Sequence, residues 1–276
     1  MKTILDFYRM KQANEKMVMI TAYDYPSAKA VEKSGAELIL VGDSLGMVML
    51  GYESTTDVTV ADMLHHAKAV RRGAKQTFVI VDMPFMSYHI SLEESLHNAR
   101  RLFQETGAQA LKVEGASAQV LELTERLTAA GIPVVSHLGL TPQSVNIMGG
   151  FKVQGKDHAS AHRLIEEAMA IEKSGSVMCV LEGIPEPLAK LITSRLTIPT
   201  IGIGASPSCD GQVLVYHDLL QYGTERLAKF VQPYADLNDI TTKALHAFVN
   251  DVKESKFPTA MHTYQLDPDV TLDGGE

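Results

Sequence analysis

The segment LILVGD at residues 38–43 decides the fold: an unbroken apolar run ends in a carboxylate, Asp43. The same pattern returns in FVIVD at residues 78–82, which ends in Asp82, and in ALKVE at residues 110–114, which ends in Glu114. Continuous β-branched apolar runs are typical of parallel strands buried on both faces. An acidic residue at the carboxyl end of such a strand is poorly suited to core packing, and it lies where parallel α/β proteins bind ligands.

Strand-like runs alternate with helix-period segments along most of the chain. The runs fall near residues 17–23, 38–43, 78–82, 110–114, 133–137, 177–182, 199–203 and 213–217. Helices are predicted near residues 26–34, 60–72, 91–106, 117–130, 159–174 and 185–195. This alternation favours an α/β fold, a (β/α)8 TIM barrel, over an open doubly wound sheet. The open sheet stays an alternative, because the last two runs leave no room for a full helix between them.

Two additional helices are predicted outside the alternation, near residues 3–13 and 237–254. They would plug the barrel floor or pack against partner subunits. We expect one barrel domain over residues 1–276, with an acidic, glycine-rich tail from about residue 267 that is frayed.

Composition limits the classes of function. The chain has 45% hydrophobic residues, enough for a large core, and its formal net charge of −8 argues against a nucleic-acid partner. Two cysteines do not make a disulfide framework, so a reducing compartment is expected. The sequence shows neither a signal peptide nor an apolar run of membrane-helix length. We therefore expect a cytoplasmic protein with no membrane partner.

The three carboxylates predict a cation site. Asp43, Asp82 and Glu114 are expected to lie close together, because the carboxyl ends of barrel strands meet at one face. Two carboxylates about 4 Å apart repel by roughly 4 kcal/mol at an effective dielectric constant near 20. Oxygen ligands without a nearby Cys or His cluster favour Mg²⁺, and after it Mn²⁺ or Ca²⁺, over Zn²⁺. The alternative is that the acids are structural, paired with Lys or Arg or capping the following helices.

Three further strand residues are candidates for the chemistry. Lys112 lies two residues before Glu114 and so on the same side of its strand, where it binds a substrate carboxylate or forms a structural ion pair. Glu182 ends the run near residues 177–182, and a carboxylate in a largely apolar site has the raised pKa that a general base requires. His137 ends the fifth run and is either a hydrogen-bonded structural residue or part of the site.

Six motifs occur in order along the chain: TAYDYP at residues 21–26, VGDSLG at 41–46, DMPF at 82–85, KVEG at 112–115, HLGLTPQ at 137–143 and GIGA at 202–205. Together they resemble the ketopantoate hydroxymethyltransferase family over about residues 3–254. The resemblance implies a (β/α)8 barrel of the phosphoenolpyruvate/pyruvate superfamily. It also implies a cytoplasmic homo-oligomer, typically a decamer, that acts in pantothenate and coenzyme A biosynthesis.

The resemblance also implies roles for individual residues. It implies that Glu182 is the proton acceptor. The residues implied to bind Mg²⁺ are Asp43, Asp82 and Glu114. Those implied to bind the 2-oxo acid are Asp43, Ser44, Asp82, Lys112 and His137. In the resulting hypothesis, Glu182 removes a proton from 3-methyl-2-oxobutanoate chelated to Mg²⁺. The Mg-stabilised enolate then attacks 5,10-methylenetetrahydrofolate, giving 2-dehydropantoate and tetrahydrofolate.

Two other functions remain open from the sequence. A Mg-dependent enzyme on the same barrel could cleave a carbon–carbon bond, as isocitrate-lyase-like relatives do. A non-catalytic barrel could bind keto acids at a vestigial site, although the intact set of acids and lysine argues against decay. Substrate proton exchange separates an enzyme from a binding protein, and folate dependence separates a transferase from a lyase.

Overall fold

Parallel strands form a closed barrel in the computed structural model, which describes residues 1–224 and 226–272. The strands are β1 (Met17–Thr21), β2 (Leu38–Val41), β3 (Phe78–Asp82), β4 (Ala110–Glu114), β5 (Val134–Gly139), β6 (Met178–Glu182), β7 (Thr200–Ile203) and β8 (Gly211–Leu214). Each strand pairs with the next, and β8 pairs with β1 to close the barrel. The predicted (β/α)8 barrel is confirmed, and the open sheet is wrong.

Helices fill most of the connections between strands. They are α1 (Ile4–Gln12), α2 (Tyr25–Ser34), α3 (Leu45–Val48), α4 (Val60–Gly73), α5 (Leu92–Thr106), α6 (Ala118–Ala129), α7 (Val145–Met148), α8 (His158–Lys173), α9 (Glu186–Arg195), α10 (Tyr216–Leu220) and α11 (Leu237–Lys253). The predicted helices agree with the longer ones to within one residue at each end. The short helices α3, α7 and α10 were not predicted. In the part of the chain that the structure describes, no helix is long and apolar enough to cross a bilayer.

The last strand begins earlier than the sequence predicted. β8 covers Gly211–Leu214 rather than residues 213–217, and residues 216–220 form α10. The chain between β7 and β8 makes turns, as their close spacing requires. Asp210 stabilises this connection, because its carboxylate accepts hydrogen bonds from the backbone N–H and the hydroxyl of Thr200. The same carboxylate pairs with Lys11 Nζ at 2.7 Å.

Alternation along the strands divides the apolar residues between two layers. On β3, Phe78 and Ile80 belong to the cluster inside the barrel, whereas Val79 and Val81 pack outward with the helices. Phe7 of α1 joins the inner cluster, with its ring edge-to-face against that of Phe78 at 5.2 Å between centroids. Because Phe78 begins its strand, α1 closes the amino-terminal end of the barrel, which was one of its two expected roles.

The C-terminal segment is different. None of the 17 residues of α11 is buried, and Ile240, Leu245 and Phe248 are each more than half exposed. The tail expected from about residue 267 is exposed as far as residue 272, and residues 273–276 lie outside the described residues. The site described next depends on the barrel and its loops alone.

Candidate active site

Strand alternation brings ionisable side chains to the carboxyl end of the barrel. Ile80 lies inside the barrel, so Asp82, two residues later on β3, has the same direction. The same parity holds for Lys112 and Glu114 on β4. In the register of the sheet, Asp82 lies opposite Lys112, and Glu114 lies opposite His137. All four of these ionisable residues are buried.

Asp43 reaches the site from a turn rather than from a strand, since β2 ends two residues before it. Its buried backbone N–H donates a hydrogen bond of 3.0 Å to Asp82 Oδ2, which holds the turn against β3. Glycine at position 42 avoids crowding in this turn. A Cβ at this position would lie 3.1 Å from Ser44 Oγ and 3.6 Å from Asp82 Oδ2. Ser44 in turn forms a hydroxyl–hydroxyl hydrogen bond of 2.8 Å with Tyr23.

Lys112 is a cation inside the acid cluster. Its Nζ lies 3.3 Å from Asp82 Oδ1 and 3.5 Å from Glu114 Oε1, and all three side chains are at most 5% exposed. Burial alone would lower the pKa of Lys112, but the surrounding carboxylates raise it, so the amine stays charged. For Glu114, burial raises the pKa, but the positive charges of Lys112 and His137 outweigh burial, and the pKa is lowered.

The lysine does not balance the cluster. Asp43, Asp82 and Glu114 together carry three negative charges when ionised, against one on Lys112 and one on a protonated His137, which also pairs with Glu182. Burial raises the pKa of Asp43 well above its usual range, and the charges of Asp82 and Glu114 raise it further. Burial also raises the pKa of Asp82, although Lys112 and the Asp43 N–H act in the opposite direction. A divalent cation would remove this deficit of positive charge.

One carboxylate oxygen of the cluster is left without a hydrogen-bond donor among the described residues. Asp82 Oδ1 is buried and accepts no hydrogen bond from any residue that the structure describes; its contact with Lys112 is an ion pair outside hydrogen-bond geometry. A buried lone pair of this kind calls for a partner. Within residues 1–224 and 226–272, no three His, Cys, Asp or Glu side chains are arranged so that they could hold a metal ion by themselves. An ion here would therefore need water or substrate oxygens to complete its coordination, as Mg²⁺ commonly does.

His137 connects the acid cluster with Glu182. Its Nδ1 lies 3.2 Å from Glu114 Oε1, and its Nε2 lies 3.2 Å from Glu182 Oε2. Burial and the charge of Lys112 lower the pKa of His137, but Glu114 and Glu182 raise it to about 9. The 3.2 Å approach of Lys112 Nζ to Nδ1 is tolerated because both groups share Glu114 Oε1. The ring therefore bridges the two glutamates.

Glu182 ends β6 opposite Gly139 of β5. Gly139 has φ +96°, and a Cβ at this position would clash with the backbone oxygen of Glu182. That oxygen accepts a hydrogen bond of 2.8 Å from the Leu140 N–H, so the two strand ends are in close contact. Glycine is thus required for Glu182 to reach the site. The Glu182 side chain is 15% exposed, so it lies at the boundary between the buried cluster and the barrel mouth.

Two residues that the sequence pattern did not indicate complete the network. The Gln143 side-chain amide donates hydrogen bonds to Asp43 Oδ2 at 2.8 Å and to the Met83 carbonyl at 3.0 Å. The Tyr88 hydroxyl donates to Gln143 Oε1 at 2.6 Å and accepts from the Glu114 N–H at 3.1 Å. Gln143 lies in the motif HLGLTPQ, which was its only signal, and Tyr88 lies in the loop after β3.

The structure brings the predicted site residues together. Six of them share one network of hydrogen bonds and ion pairs: Asp43, Asp82, Lys112, Glu114, His137 and Glu182. Ser44 follows Asp43 and contacts Tyr23 rather than the acids. The roles assigned to these residues remain predictions.

Solved structures have the same barrel fold. A 2,3-dimethylmalate lyase, described as a member of the PEP mutase/isocitrate lyase superfamily, superposes with a TM-score of 0.59 at 16% identity, covering 98% of this chain and 92% of that one. A putative phosphonomutase from Burkholderia cenocepacia J2315 gives a TM-score of 0.64 at 15% identity, covering 90% and 98%. The chain shares the barrel fold of these structures.

Sequence relatives narrow the class to a family. The family model described as Ketopantoate hydroxymethyltransferase matches residues 1–260. A 3-methyl-2-oxobutanoate hydroxymethyltransferase from Geobacillus sp. (strain WCH70) is 56% identical over 278 residues, covering 100% of this chain and 99% of the relative. One from Bacillus cereus (strain G9842) is also 56% identical, covering 100% of both. The chain belongs to the ketopantoate hydroxymethyltransferase family.

Membership of this family confirms the predicted enzyme class. The chain is a hydroxymethyltransferase, and the family name assigns it to the pantothenate pathway. The lyase and non-catalytic alternatives are therefore set aside.

Proposed function

We propose that this chain transfers a hydroxymethyl group from 5,10-methylenetetrahydrofolate to 3-methyl-2-oxobutanoate in a reaction that depends on Mg²⁺. One water is consumed, and the products are 2-dehydropantoate and tetrahydrofolate. The names of the 56%-identical relatives supply the acceptor and the group transferred. The observation that carries the proposal is the buried network that joins the acids to Glu182 through His137.

Asp43, Asp82 and Glu114 would hold the Mg²⁺ ion. The support is their shared excess of negative charge, the buried Asp82 Oδ1 that accepts no hydrogen bond among the described residues, and the oxygen-only donor set. When bound, the ion supplies Lewis acidity, which lowers the pKa of the C3–H of a chelated 2-oxo acid.

Lys112 would bind the carboxylate of the 2-oxo acid. Its charge is maintained by the buried acids, and its contacts with Asp82 and Glu114 fix the position of the ammonium group. A preorganised cation in a buried site stabilises negative charge more than it would in water. Ser44 and His137, together with the oxygens of Asp43 and Asp82, would complete the substrate-binding surface.

Glu182 would accept the proton from C3 of the substrate. It lies at the edge of the buried cluster, and its contact with His137 holds the carboxylate towards the acids from the far side of the barrel. The proton would pass to Glu182 Oε1 or Oε2, and the electron pair of the C–H bond would become available for attack on the methylene carbon of the folate.

The Glu182→Gln variant tests the role of the base. We expect it to bind 3-methyl-2-oxobutanoate but to lower exchange of the C3 proton with D₂O, followed by NMR, by at least about 100-fold. Glu186→Gln is the matched control, because Glu186 lies four residues further on in an exposed position at the start of α9. Unchanged exchange in Glu182→Gln would remove Glu182 from this role.

Removal of the ion and of the folate tests the other parts of the proposal separately. A chelator is expected to abolish proton exchange, and added Mg²⁺ to restore it. Exchange does not need the one-carbon donor, so it should continue without folate, whereas product should form only with 5,10-methylenetetrahydrofolate. Turnover after exhaustive chelation would contradict the metal role, and turnover without folate would contradict the donor.

We also propose that the chain works as a cytoplasmic homo-oligomer, with a decamer as the expected assembly. Support for assembly comes from α11, whose apolar side chains Ile240, Leu245 and Phe248 are left exposed in one chain. Support for the compartment comes from Cys179 and Cys209, both of which are buried free thiols. Sedimentation at the mass of a single chain would contradict the assembly.

A further inference from the structure

Gln143 is only 5% exposed, and both the nitrogen and the oxygen of its side-chain amide form hydrogen bonds. Both N–H donors are engaged, one to Asp43 Oδ2 and one to the Met83 carbonyl, and Oε1 accepts from the Tyr88 hydroxyl. The orientation of the amide is therefore determined. A flipped amide would set its oxygen against the Asp43 carboxylate and the Met83 carbonyl, which are both acceptors.

Gln143 also contacts a second acid of the cluster. Its backbone N–H donates a hydrogen bond of 3.0 Å to Glu114 Oε2. Asp43 follows β2 and Glu114 ends β4, so this one residue, from the connection after β5, links two acids that belong to different parts of the barrel. The Tyr88 hydroxyl reinforces the link, because it contacts both the Gln143 amide and the Glu114 backbone.

A neutral amide suits this task better than a cation would. Its N–H groups hold the carboxylate oxygens in place by hydrogen bonds, but it brings no net charge, so the negative charge that attracts a divalent ion is kept. Without these bonds, the buried carboxylates would be free to move apart under their mutual repulsion. The ion would then have to bring them together at a cost in affinity.

We propose that Gln143 is a positioning residue that holds Asp43 and Glu114 in the arrangement that binds the divalent ion, and that Tyr88 fixes the Gln143 amide for this purpose. The proposal rests on the Mg²⁺ site of the proposed function. Residues that orient metal ligands typically change metal affinity by about 10- to 100-fold when they are replaced.

The test is the affinity of the protein for Mg²⁺ alone, measured by calorimetry without substrate. Gln143→Met keeps the length of the side chain but removes its donors and its acceptor, and we expect Mg²⁺ to bind about 10- to 100-fold more weakly. Gln109→Met is the matched control. The Gln109 amide also donates to a carbonyl, that of Gly107, and accepts from a backbone N–H, that of Val79, but it does not contact the acid cluster.

A second readout separates positioning from a general structural role. If Gln143 positions the acids, excess Mg²⁺ should restore most of the proton-exchange rate of Gln143→Met, because the defect lies in ion affinity. Tyr88→Phe, which removes a single oxygen, should weaken Mg²⁺ binding in the same direction by a smaller factor. It serves as the test if Gln143→Met does not fold.

The Mg²⁺ affinities and the exchange rates of the variants decide between these roles. Mg²⁺ affinity in Gln143→Met that lies within about two-fold of the native protein would overturn the positioning role. If that variant does not fold, an unchanged Mg²⁺ affinity in Tyr88→Phe would overturn it. So would a loss of exchange that excess Mg²⁺ does not restore. A native protein that does not bind Mg²⁺ at all would instead overturn the metal site of the proposed function, and the positioning role with it.

Discussion

Replacing Lys112 with Met removes a buried ammonium but keeps most of the side-chain volume. At 3.3 Å and 3.5 Å from its two carboxylate partners, each ion pair has a Coulomb energy of about 5 kcal/mol at an effective dielectric constant near 20. Removing one partner of a buried pair typically costs about 3–5 kcal/mol, because the remaining charge is left uncompensated. At about 2–4 °C per kcal/mol, we expect the unfolding temperature to fall by about 6–20 °C in the absence of Mg²⁺.

The assay compares thermal unfolding in EDTA and in Mg²⁺ for Lys112→Met and for Lys68→Met. Lys68 Nζ lies 2.9 Å from Glu105 Oε2, but both side chains are 41% exposed, so this pair contributes only about 0–1 kcal/mol. The two variants carry the same substitution and differ in burial. Because a bound cation would replace part of the missing charge, Mg²⁺ should stabilise Lys112→Met more than it stabilises the native protein.

A cost of Lys112→Met no larger than that of Lys68→Met would refute the electrostatic description of the site. It would mean that the acids around Lys112 do not carry the uncompensated charge on which a cation site depends. Equal stabilisation of the variant and the native protein by Mg²⁺ would show that the ion and the lysine do not act on the same charges.

Two further predictions concern the backbone at Glu182 and the start of β3. Gly139→Ala is expected to cost about 1–3 kcal/mol from its positive φ alone, and to slow proton exchange because the new Cβ displaces Glu182. Gly131→Ala is the control: Gly131 has φ +88° and no heavy atom lies within 4 Å of the added Cβ, so this variant should share the backbone strain but leave proton exchange unchanged. Equal exchange rates in the two variants would contradict the role of Gly139. Burial raises the pKa of Glu32, but hydrogen bonds from Gln76 and Thr77 lower it below its usual 4.5. The stabilising effect of Glu32 is therefore present above pH 4.5 and is lost as the pH falls through its folded pKa, so Glu32→Gln should lower stability in urea at neutral pH. A difference that does not shrink as the pH is lowered from neutral into the acid range would contradict this reasoning.

The sequence predicted the barrel because its strands carry a strong local signal. In residues 38–41 and 78–81 every side chain is apolar, as burial on both faces of a parallel strand requires, and glycines such as Gly107 mark the ends of helices. The error at β8 has a clear cause. Gly211 resembles a turn residue, but it lies in the strand. The strand needs glycine at this position, because a Cβ there would be too close to Met17 and Ile201 on the neighbouring strands.

The acids of the site were predictable and their supports were not. Asp82 and Glu114 end apolar strands, so topology alone brings them to one face of the barrel. Gln143 and Tyr88 lie in loops, and the contacts that give them importance join residues as far as 100 positions apart in the chain. No periodicity encodes such contacts, because they depend on how the loops fold over the barrel mouth.

The alternation on β4 limits how this gene can change. Lys112 and Glu114 face the barrel interior, whereas Leu111 and Val113 lie in the outer apolar layer. Losing a single codon from the short connection before β4, with the pairing to β3 kept in place, would exchange the two faces and set charged side chains against the helices. Losing two codons would keep the faces but shift the ammonium and the carboxylate by about 6.6 Å along the strand. That connection is therefore fixed in length, and neither kind of deletion there should yield a working enzyme.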